Sequence, residues 1–409
     1  MGGLWPLNTG GRQRTYQMLS ALSRQHHVTL VTTHGPDDDA QQLAARLAHC
    51  DRVISLPYRP PKVGGRAFVR AVARSWLSSY PVDLWKWRVP AVSGAVKSLL
   101  LEAEPFDAVV ADFLFAEPNV PRWPRTPMVF FAHNVEHQIW RRLASVEPQR
   151  WRRAVLEVEW RKMRQCETAA VQRADVTVAV SDADRDQFLD AVPGATVHVV
   201  PTGVDTTFFA PGGRPQVPRR LVFSGSMDWY PNEDALIDFA AHVWPRLRAR
   251  HPDISMTVVG RNPTARLRAA AADAGIDVTG TVDDVRPFID EAQVYVVPLR
   301  VGGGTRLKIF EALAMAKPVV STTIGAEGLG LVPDRHFIAA DGHDALARSI
   351  LDLLDDAPRR AALGAEGRRL VDECYSWGQV ARDFERSVEH AARRHDLDLE
   401  CADRRLAVS

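Results

Sequence analysis

The chain has 409 residues, of which 46% are apolar and 25% charged, and its formal net charge is +1 at pH 7. This length predicts two or three domains, and the composition is that of an ordinary globular protein. The balanced charge argues against bulk nucleic-acid binding, and no apolar run reaches the ~18 residues that a membrane-spanning helix needs.

Short apolar segments alternate with helical segments along the first half of the chain. A glycine turn at Gly10 and Gly11, followed by an amphipathic helix, opens this half. Strands are then predicted at 27–33, 52–57, 107–112, 127–133, 175–181 and 196–201. Nearly all are β-branched and apolar throughout, which is typical of parallel strands buried on both faces.

The same alternation resumes after an interruption. Residues 203–220 are rich in Gly and Pro and lack periodicity, which predicts a linker between domains. Further strands are predicted at 220–226, 255–260, 276–280, 294–299 and 317–322. Helices between parallel strands are what βαβ units require, so each half is predicted to be one doubly wound domain.

The predicted fold class is therefore α/β, with two Rossmann-like doubly wound domains facing across a cleft. The predicted parts are an N-terminal domain over 1–203, a linker over 204–219, a C-terminal domain over 220–378, and a last segment over 379–409. Ligands in such sheets bind beyond the carboxyl ends of the strands, so the cleft is the expected place for a binding site.

The first strand of the N-terminal domain is missing from this pattern. The glycine turn is preceded only by MGGLW and four further residues, and Gly2 and Gly3 form strands poorly. A strand normally takes about five or six residues, and the first strand of a doubly wound sheet lies near its centre. We therefore expect the sequence to begin downstream of the natural start.

The stretch RVGGGTRLKIFEALAMA, residues 300–316, has the features of an anion site. Glu311 lies at the edge of an apolar helical stripe, where a carboxylate without partners is costly to bury. Arg306 and Lys308 lie near the helix start, where the helix dipole disfavours cations unless an anion is present. A ligand with both anionic and hydroxyl groups would satisfy these residues; ordinary solvated side chains are the alternative.

Several stretches together resemble the retaining glycosyltransferases of family 4, which have the GT-B fold. The matching stretches are NTGGRQRT (8–15), FAHNVEH (131–137), VAVSDADRDQF (178–188), VPTGVDTTFFAP (200–211), FSGSMDWYPNEDAL (223–236) and the block 281–329. Their order and spacing cover nearly the whole chain, and the last block is the most specific. The resemblance implies a nucleotide-sugar donor on the C-terminal domain, the acceptor mainly on the N-terminal domain, and a final helix that crosses back to the N-terminal domain.

The resemblance also implies roles for single residues of the donor site. Glu311 matches a glutamate expected to accept hydrogen bonds from the ribose hydroxyls, and Arg306 and Lys308 would neutralise the leaving diphosphate. The three glycines that precede Thr305 would hold phosphate oxygens on their main-chain amides. Further donor-site residues are Gly302, Gly303, Gly304, Thr305, Gly225 and Glu327.

In the N-terminal domain the resemblance points to His133, at the end of a predicted strand, as a catalytic residue near the donor sugar or the acceptor hydroxyl. A histidine satisfied by the backbone is the alternative. Gly10 and Gly11 are expected to line the binding cleft.

The sequence departs from the family pattern at two places. The family has two glutamates that lie eight positions apart. Glu311 matches the second of them, and Gly303 stands at the position of the first. The Arg and Lys usual near the start of the second domain are absent from FSGSMDWYPNEDAL. Arg306 and Lys308 are the candidates to supply the missing positive charge.

These observations predict a retaining glycosyltransferase that moves a sugar from a nucleotide diphosphate donor to the hydroxyl of a polysaccharide, glycolipid or small-molecule acceptor, as in cell-envelope synthesis. A sugar-nucleotide epimerase and a nucleotide-binding pseudoenzyme that supports a partner transferase are the alternatives. No metal and no separate cofactor are expected, because GT-B enzymes generally use protein cations and helix dipoles instead.

The segment 58–100 has eight basic residues, one acidic residue and three tryptophans. Helices that pack on the sheet and expose a basic face are the favoured interpretation, and a lipid-facing interfacial surface is the alternative. The four cysteines are far apart and are predicted to be free thiols. The expected location is the cytoplasm, including the inner face of the membrane if the interfacial interpretation holds.

Overall fold

The computed structural model describes residues 4, 5, 7, 10–35, 38–61, 65–122, 126–301 and 307–406, with side chains in the last helix as far as His395. By its internal contacts the chain divides into two compact units. The first comprises 1–201 together with 380–409, and the second comprises 202–379. Both are built from parallel strands with intervening helices.

In the first unit, each predicted strand segment contains an observed strand or overlaps one. The strands are β1 (Thr29–His34), β2 (Arg52–Pro57), β3 (Val109–Asp112), β4 (Met128–Phe131), β5 (Val176–Ala179) and β6 (Val197–Val199). The helices between them are α1 (Gly10–Leu22), α2 (Ala40–Arg46), α3 (Arg66–Trp76), α4 (Val82–Trp85), α5 (Pro90–Leu99), α6 (Glu136–Val146), α7 (Arg150–Arg173) and α8 (Asp182–Ala191).

The strands of the first unit form two parallel sheets. One pairs β1 with β2, and the other has the order β3-β4-β5-β6. The described residues ahead of α1 form no strand; Leu4 and Trp5 pack in an apolar cluster with Leu43 and Leu47 of the α2 region. The sequence pattern predicts one doubly wound sheet here, and two are found because no described strand pairs with both β1 and β3.

The second unit has a single six-stranded parallel sheet with the order β12-β11-β10-β7-β8-β9. Its strands are β7 (Arg220–Ser224), β8 (Ser255–Val259), β9 (Asp277–Gly280), β10 (Val294–Val297), β11 (Val319–Ser321) and β12 (Ile338–Ala339). Its helices are α9 (Tyr230–His242), α10 (Trp244–Arg250), α11 (Ala265–Ala274), α12 (Arg286–Glu291), α13 (Leu307–Ala314), α14 (Thr323–Ala326), α15 (His343–Asp355) and α16 (Ala357–Leu370). The two-residue β12 has too little pattern to be predicted.

The sheet of the second unit is covered on both faces, which explains its continuously apolar strands. In β7, Leu221 and Phe223 pack into one hydrophobic cluster and Val222 into another. All three side chains are fully buried. Successive residues of a strand point to opposite faces, so a strand covered on both faces has to be apolar throughout.

The first residues of the second unit are hydrogen-bonded to one of its helices. Within the stretch 204–219, predicted as a linker, the amides of Gly212 and Arg214 donate to the Asp290 carboxylate at 3.2 and 2.8 Å. The last helix, α17 (Trp377–Leu406), belongs to the first unit from Val380 onward. None of the described helices is long and apolar enough to cross a lipid bilayer.

Candidate active-site residues of the two units

The strand order of the second unit reverses direction between β7 and β10. At such a point a crevice opens beyond the carboxyl ends of the strands, where ligands of doubly wound sheets bind. The two strands are joined there by Tyr295, whose hydroxyl lies 2.6 Å from the Ser224 hydroxyl. Gly225 directly follows β7, and α13 is the first described helix after β10. Because β7 and β10 are neighbours in the sheet, Gly225 lies near the helix that carries Lys308 and Glu311.

On α13, burial disfavours the ionised form of the Glu311 side chain. Burial raises the pKa of its carboxyl to about 7, and the charge of Lys308 opposes that rise. No hydrogen bond to this carboxylate is found among the described residues. Because an unpartnered, desolvated carboxylate is costly, a ligand that donates hydrogen bonds to it would be stabilising. Two vicinal hydroxyl groups match its two oxygens.

Residues of β7 and α9 fix the position of the Lys308 side chain. Its Nζ donates to Oδ1 of Asn232 at 2.7 Å and lies 4.1 Å from the centroid of the Phe223 ring. Gly225 has φ +155°, and a Cβ there would lie 2.8 Å from Lys308 Nζ. Gly225 therefore leaves the space that the lysine occupies.

The other predicted donor-site residues are Glu327 and a group beyond what the structure describes. Glu327 is exposed and forms the C-cap of α14. Five predicted residues lie outside the described residues, and their phosphate contacts stay predictions: Gly302, Gly303, Gly304, Thr305 and Arg306.

The loops after β7 and β8 are joined by a polar network that the sequence did not reveal. The Ser226 hydroxyl donates to Asp228 at 2.5 Å, and the Asn262 amide donates to the other oxygen of Asp228 at 2.9 Å. Arg261 donates to the Ser226 hydroxyl at 3.0 Å. These hydrogen bonds lower the pKa of Asp228 and hold its carboxylate near the charge of Arg261.

In the first unit, the neighbouring strands β3 and β4 bring Asp112 and His133 together at their carboxyl ends. Nε2 of His133 donates to Oδ1 of Asp112 at 2.6 Å, and the Thr15 hydroxyl donates to Oδ2 at 2.5 Å. Burial lowers the pKa of His133, and Asp112 opposes this effect. The lowered pKa favours the neutral imidazole, and donation to Asp112 places its proton on Nε2, which leaves the lone pair on Nδ1.

The His133 ring is packed against a strained residue. Phe113 stacks on it with ring centroids 3.5 Å apart and an interplanar angle of 12°. Phe113 has φ +74°, which is unfavourable for a bulky residue and is found mostly where the surroundings impose it. A Cβ on Gly11 would lie 2.5 Å from Cζ of Phe113, so this glycine packs against the phenyl ring. Gly10 begins α1, where a glycine turn was predicted.

Arg14 lies buried beside the same pair. Its guanidinium donates to the Val200 carbonyl at 2.5 Å and lies 4.4 Å from the centroid of the Phe131 ring. Burial lowers the pKa of Arg14 to about 9, and the charges of Asp112 and Asp184 oppose that shift. Arg14 therefore places a buried positive charge near the carboxylate that accepts from His133.

Two buried glutamates of α7 hold the starts of two other helices. Oε2 of Glu159 accepts from the amide of Val82 at 2.7 Å, at the first residue of α4. Oε1 of Glu167 accepts from the amide of Glu136 at 2.7 Å, at the first residue of α6, and the imidazole of His137 also bonds to Glu167. Carboxylates at helix N-termini satisfy unpaired amides and complement the helix dipole. Glu167 therefore fixes the helix that begins three residues after His133.

The sequence missed Asp112, Thr15 and Asn232. Asp112 ends one predicted strand and His133 ends the next, but pairing the two residues requires that the strands be neighbours. Asn232 lies in the first turn of α9, just after the loop that follows β7. Its place after a predicted strand was a signal that could have been used. Thr15 offered no signal, because a threonine in an amphipathic helix is ordinary.

Two family profiles match the chain and together cover most of it. Residues 9–208 match the profile described as Glycosyltransferase Family 4, and residues 218–356 match the one described as Glycosyl transferases group 1.

Relatives of known function match in sequence over part of the chain. A phosphatidyl-myo-inositol mannosyltransferase of Mycolicibacterium smegmatis is 30% identical over 222 residues, which are 52% of this chain and 56% of that protein. The MMP alpha-(1->4)-mannosyltransferase of Mycolicibacterium hassiacum is 30% identical over 276 residues, 64% of this chain and 65% of that protein. The chain thus spans less than two thirds of the length of either relative.

Solved structures match over nearly the whole chain. Sucrose-phosphate synthase from Thermosynechococcus elongatus has a TM-score of 0.62 at 16% identity and covers 92% of each chain. A glycosyltransferase from Rickettsia africae has a TM-score of 0.63 at 12% identity, covering 94% of this chain and 95% of that one. At these identities the likeness concerns the fold. Taken with the two profiles, it means that the chain belongs to glycosyltransferase family 4 and has the two-domain GT-B fold.

Proposed function

We propose that the protein transfers a glycosyl group from a nucleotide diphosphate sugar to an acceptor hydroxyl, with retention of anomeric configuration. The observation that supports this most directly is the pair formed by Glu311 and Lys308 at the switch point of the second unit. A carboxylate whose pKa is raised to about 7 and which has no described partner suits a ribose diol. The ammonium three residues earlier suits a diphosphate.

The proposed transfer needs no nucleophile from the protein. The bond between the anomeric carbon and the phosphate oxygen breaks, and the bond from the acceptor oxygen to the same carbon forms on the same face of the sugar. The leaving diphosphate takes the acceptor proton. Lys308, together with Arg306, stabilises the negative charge that develops on this diphosphate. In this proposal protein cations take the part that a metal plays in other transferases.

In the first unit, His133 supplies a polar contact to the acceptor. Its Nδ1 lone pair accepts a hydrogen bond from a hydroxyl group, since Nε2 is committed to Asp112. Asp112 and Phe113 fix the ring, so its orientation costs little when substrate binds.

The relatives suggest where to look for substrates. The mannosyltransferases that match the chain are named for phosphatidyl-myo-inositol and for MMP, so mannose donors and polyol or lipid-linked acceptors head the candidates. Family membership favours a transferase over an epimerase or a pseudoenzyme, although Gly303 stands where the family has a glutamate.

The membrane surface of the first unit is the second part of the proposal. On α3 the exposed residues include Arg66, Arg70 and Arg74, and exposed apolar residues lie between and after them: Val69 at 62%, Trp76 at 55% and Leu77 at 91%. Basic and apolar side chains on one exposed face suit the interface of an anionic bilayer. We infer that α3 docks on such a surface, where a lipid-linked acceptor would be found.

The test is a donor and acceptor panel with the whole chain. GDP-mannose and UDP-glucose are incubated with inositol and with phosphatidylinositol vesicles, and the nucleoside diphosphate and the glycoside are measured. Release that requires acceptor, with a product of the donor's anomeric configuration by NMR, supports the proposal. Interconversion of the donor sugar would mean an epimerase, and tight nucleotide binding without turnover on any pair would mean a pseudoenzyme.

A further inference from the structure

A cluster of one carboxylate and two imidazoles in the second unit takes no part in the function proposed above. Among the described residues, Asp238, His242 and His343 offer ligand atoms that all lie within 4.8 Å of one another. Asp238 and His242 lie one turn apart on α9, and His343 is the first residue of α15. The three side chains thus come from two well-formed helices.

The separations between these atoms are close to those in a metal site. Nε2 of His343 lies 2.8 Å from Oδ2 of Asp238, and Nδ1 of His242 lies 3.1 Å from Oδ1 of Asp238. The two imidazole rings are stacked, with centroids 4.6 Å apart and planes 8° apart. Zinc bonds of about 2.0–2.2 Å place neighbouring ligand atoms about 3 Å apart, so only small side-chain movements would be needed.

The charged groups around the cluster have a net negative charge, which favours a bound cation. Arg300 donates to Oδ1 of Asp238 at 2.9 Å, which opposes a metal ion on that oxygen. The same guanidinium bonds to both oxygens of Asp234, at 3.0 and 2.9 Å, so its charge is offset there. With neutral histidines, Asp234, Asp238 and Arg300 together carry one net negative charge. A hydrogen-bonded partner on one oxygen, with the other oxygen turned to the metal, is the usual state of a ligating carboxylate.

One charged pair beside the cluster is neutral overall. Arg246 donates to Asp344 at 3.0 Å and to the main-chain oxygen of His242. Asp238 is largely buried and His242 is exposed, so water can complete the coordination on the open side. Nitrogen and oxygen ligands of this kind suit borderline divalent ions rather than magnesium or calcium.

We propose that Asp238, His242 and His343 form a binding site for a divalent transition-metal ion, with Zn²⁺ as the ion that fits best. On binding, the proton that His343 shares with Asp238 moves to the other nitrogen of the same ring, and the freed lone pair takes the metal. The ion then joins α9 to α15. Because it binds the folded unit and not the unfolded chain, it raises the melting temperature of the second unit.

The experiment uses the full chain, purified without a histidine tag and treated with a chelator. Zn²⁺ is titrated by calorimetry, and Co²⁺ is added in parallel to record its visible absorption. We expect one Zn²⁺ per chain at this site, a Co²⁺ spectrum of mixed nitrogen and oxygen ligation, and a higher melting temperature with Zn²⁺. His343→Gln and His242→Gln should each weaken Zn²⁺ binding at least tenfold while leaving the metal-free melting temperature nearly unchanged.

A matched control is His27→Gln. His27 pairs with Asp51 at 2.9 Å, but no third described ligand lies close enough to join them. This variant should bind Zn²⁺ as the parent does. The proposal is overturned if the parent binds no Zn²⁺ at 100-fold molar excess, or if the double variant of His242 and His343 binds it as tightly as the parent. Equal loss in the His27 variant would also overturn it.

Discussion

His133 donates from Nε2 to a carboxylate oxygen of Asp112 at 2.6 Å, and this bond decides which ring nitrogen is left to act on a substrate. Asp112→Asn should break this arrangement, because an amide can present a donor to Nε2 and stabilise the wrong tautomer. We expect kcat to fall about a hundredfold with little change in the KM for the donor. Asp112 raises the pKa of His133, so the acid limb of the kcat profile should move to lower pH in the variant.

The exposed pair of His27 and Asp51 provides the control, since it repeats the contact far from the strand ends of β3 and β4. Asp51→Asn should leave kcat and its pH profile unchanged. If Asp112→Asn lowers the melting temperature but keeps the parental pH profile, Asp112 has only a structural role.

Gly11→Ala should destabilise the first unit. The new Cβ would lie 2.5 Å from the Phe113 ring, and Phe113 cannot withdraw easily because it already has φ +74°. We expect a loss of about 1–3 kcal/mol in the free energy of unfolding, measured by urea denaturation. Gly94→Ala is the matched change in α5, where nothing lies within 4 Å of the added Cβ. That variant should gain about 0.5–1 kcal/mol from helix propensity. Equal effects at the two glycines would contradict the packing argument.

Glu311→Gln should separate stability from ligand binding. Burial raises the pKa of Glu311 to about 7, so the folded protein binds more protons at this group than the unfolded chain between the two pKa values. Its contribution to stability is therefore full at acid pH and is lost as the pH rises through 7. At pH 8 the variant should be more stable than the parent by about 1–2 kcal/mol, and at pH 4 equal to it.

The same variant should bind the correct nucleoside diphosphate about 1–3 kcal/mol more weakly, because Gln offers one acceptor oxygen to two ribose hydroxyls. In the parent, affinity should rise with pH up to about 7, since the ionised form is the one that accepts both bonds. Calorimetry at pH 6 and 8 measures both effects. Unchanged affinity in the variant would rule out the ribose contact.

Two lysines of the second unit should respond in opposite ways to replacement by methionine. Lys308→Met should weaken the binding of nucleoside diphosphate at least tenfold and change the melting temperature of the free protein little. Lys317 is buried and donates to the carbonyls of Asp290 and Ala292, so Lys317→Met leaves these oxygens unpaired. That variant should lose about 1–3 kcal/mol of stability and keep its nucleotide affinity while folded. A large loss of stability in Lys308→Met would assign the residue a structural role.

Replacing the basic residues of α3 tests the membrane surface. The triple variant Arg66→Gln, Arg70→Gln and Arg74→Gln should bind vesicles containing anionic lipid more weakly, by about 1 kcal/mol per residue. Sedimentation of the parent with such vesicles should decline as salt is raised. The control changes Arg386 and Arg393, whose charges are already paired with Asp383 and Glu389, and should bind as the parent does. Binding that ignores the lipid charge would leave α3 as an ordinary exposed helix.

Local pattern predicted the strands and the helix α13. Every predicted strand segment overlaps an observed strand, because parallel strands covered on both faces are apolar along their length. The position of Glu311 at the edge of an apolar stripe was likewise visible, because helical periodicity fixes which residues share a face. The raised pKa of its carboxyl follows from that position.

Contacts between distant segments could not be predicted in this way. Asp112 and His133 meet only because β3 and β4 are neighbours, and His343 meets Asp238 across 105 positions of the sequence. Neither pairing leaves a trace in local spacing. The positive φ of Phe113 is also invisible in the sequence, since the surroundings impose it against the preference of the residue.

The two capping glutamates of α7 have a consequence for how the first unit opens. Glu159 and Glu167 are eight residues apart, about 12 Å along the helix axis, and each holds the first amide of another helix. Those amides can exchange their hydrogens with solvent only when α7 moves away or unwinds. The stretch from Val82 to Arg173 should therefore exchange as one cooperative unit, and slow exchange at Val82 and Glu136 should report the opening of a helix to which neither residue belongs.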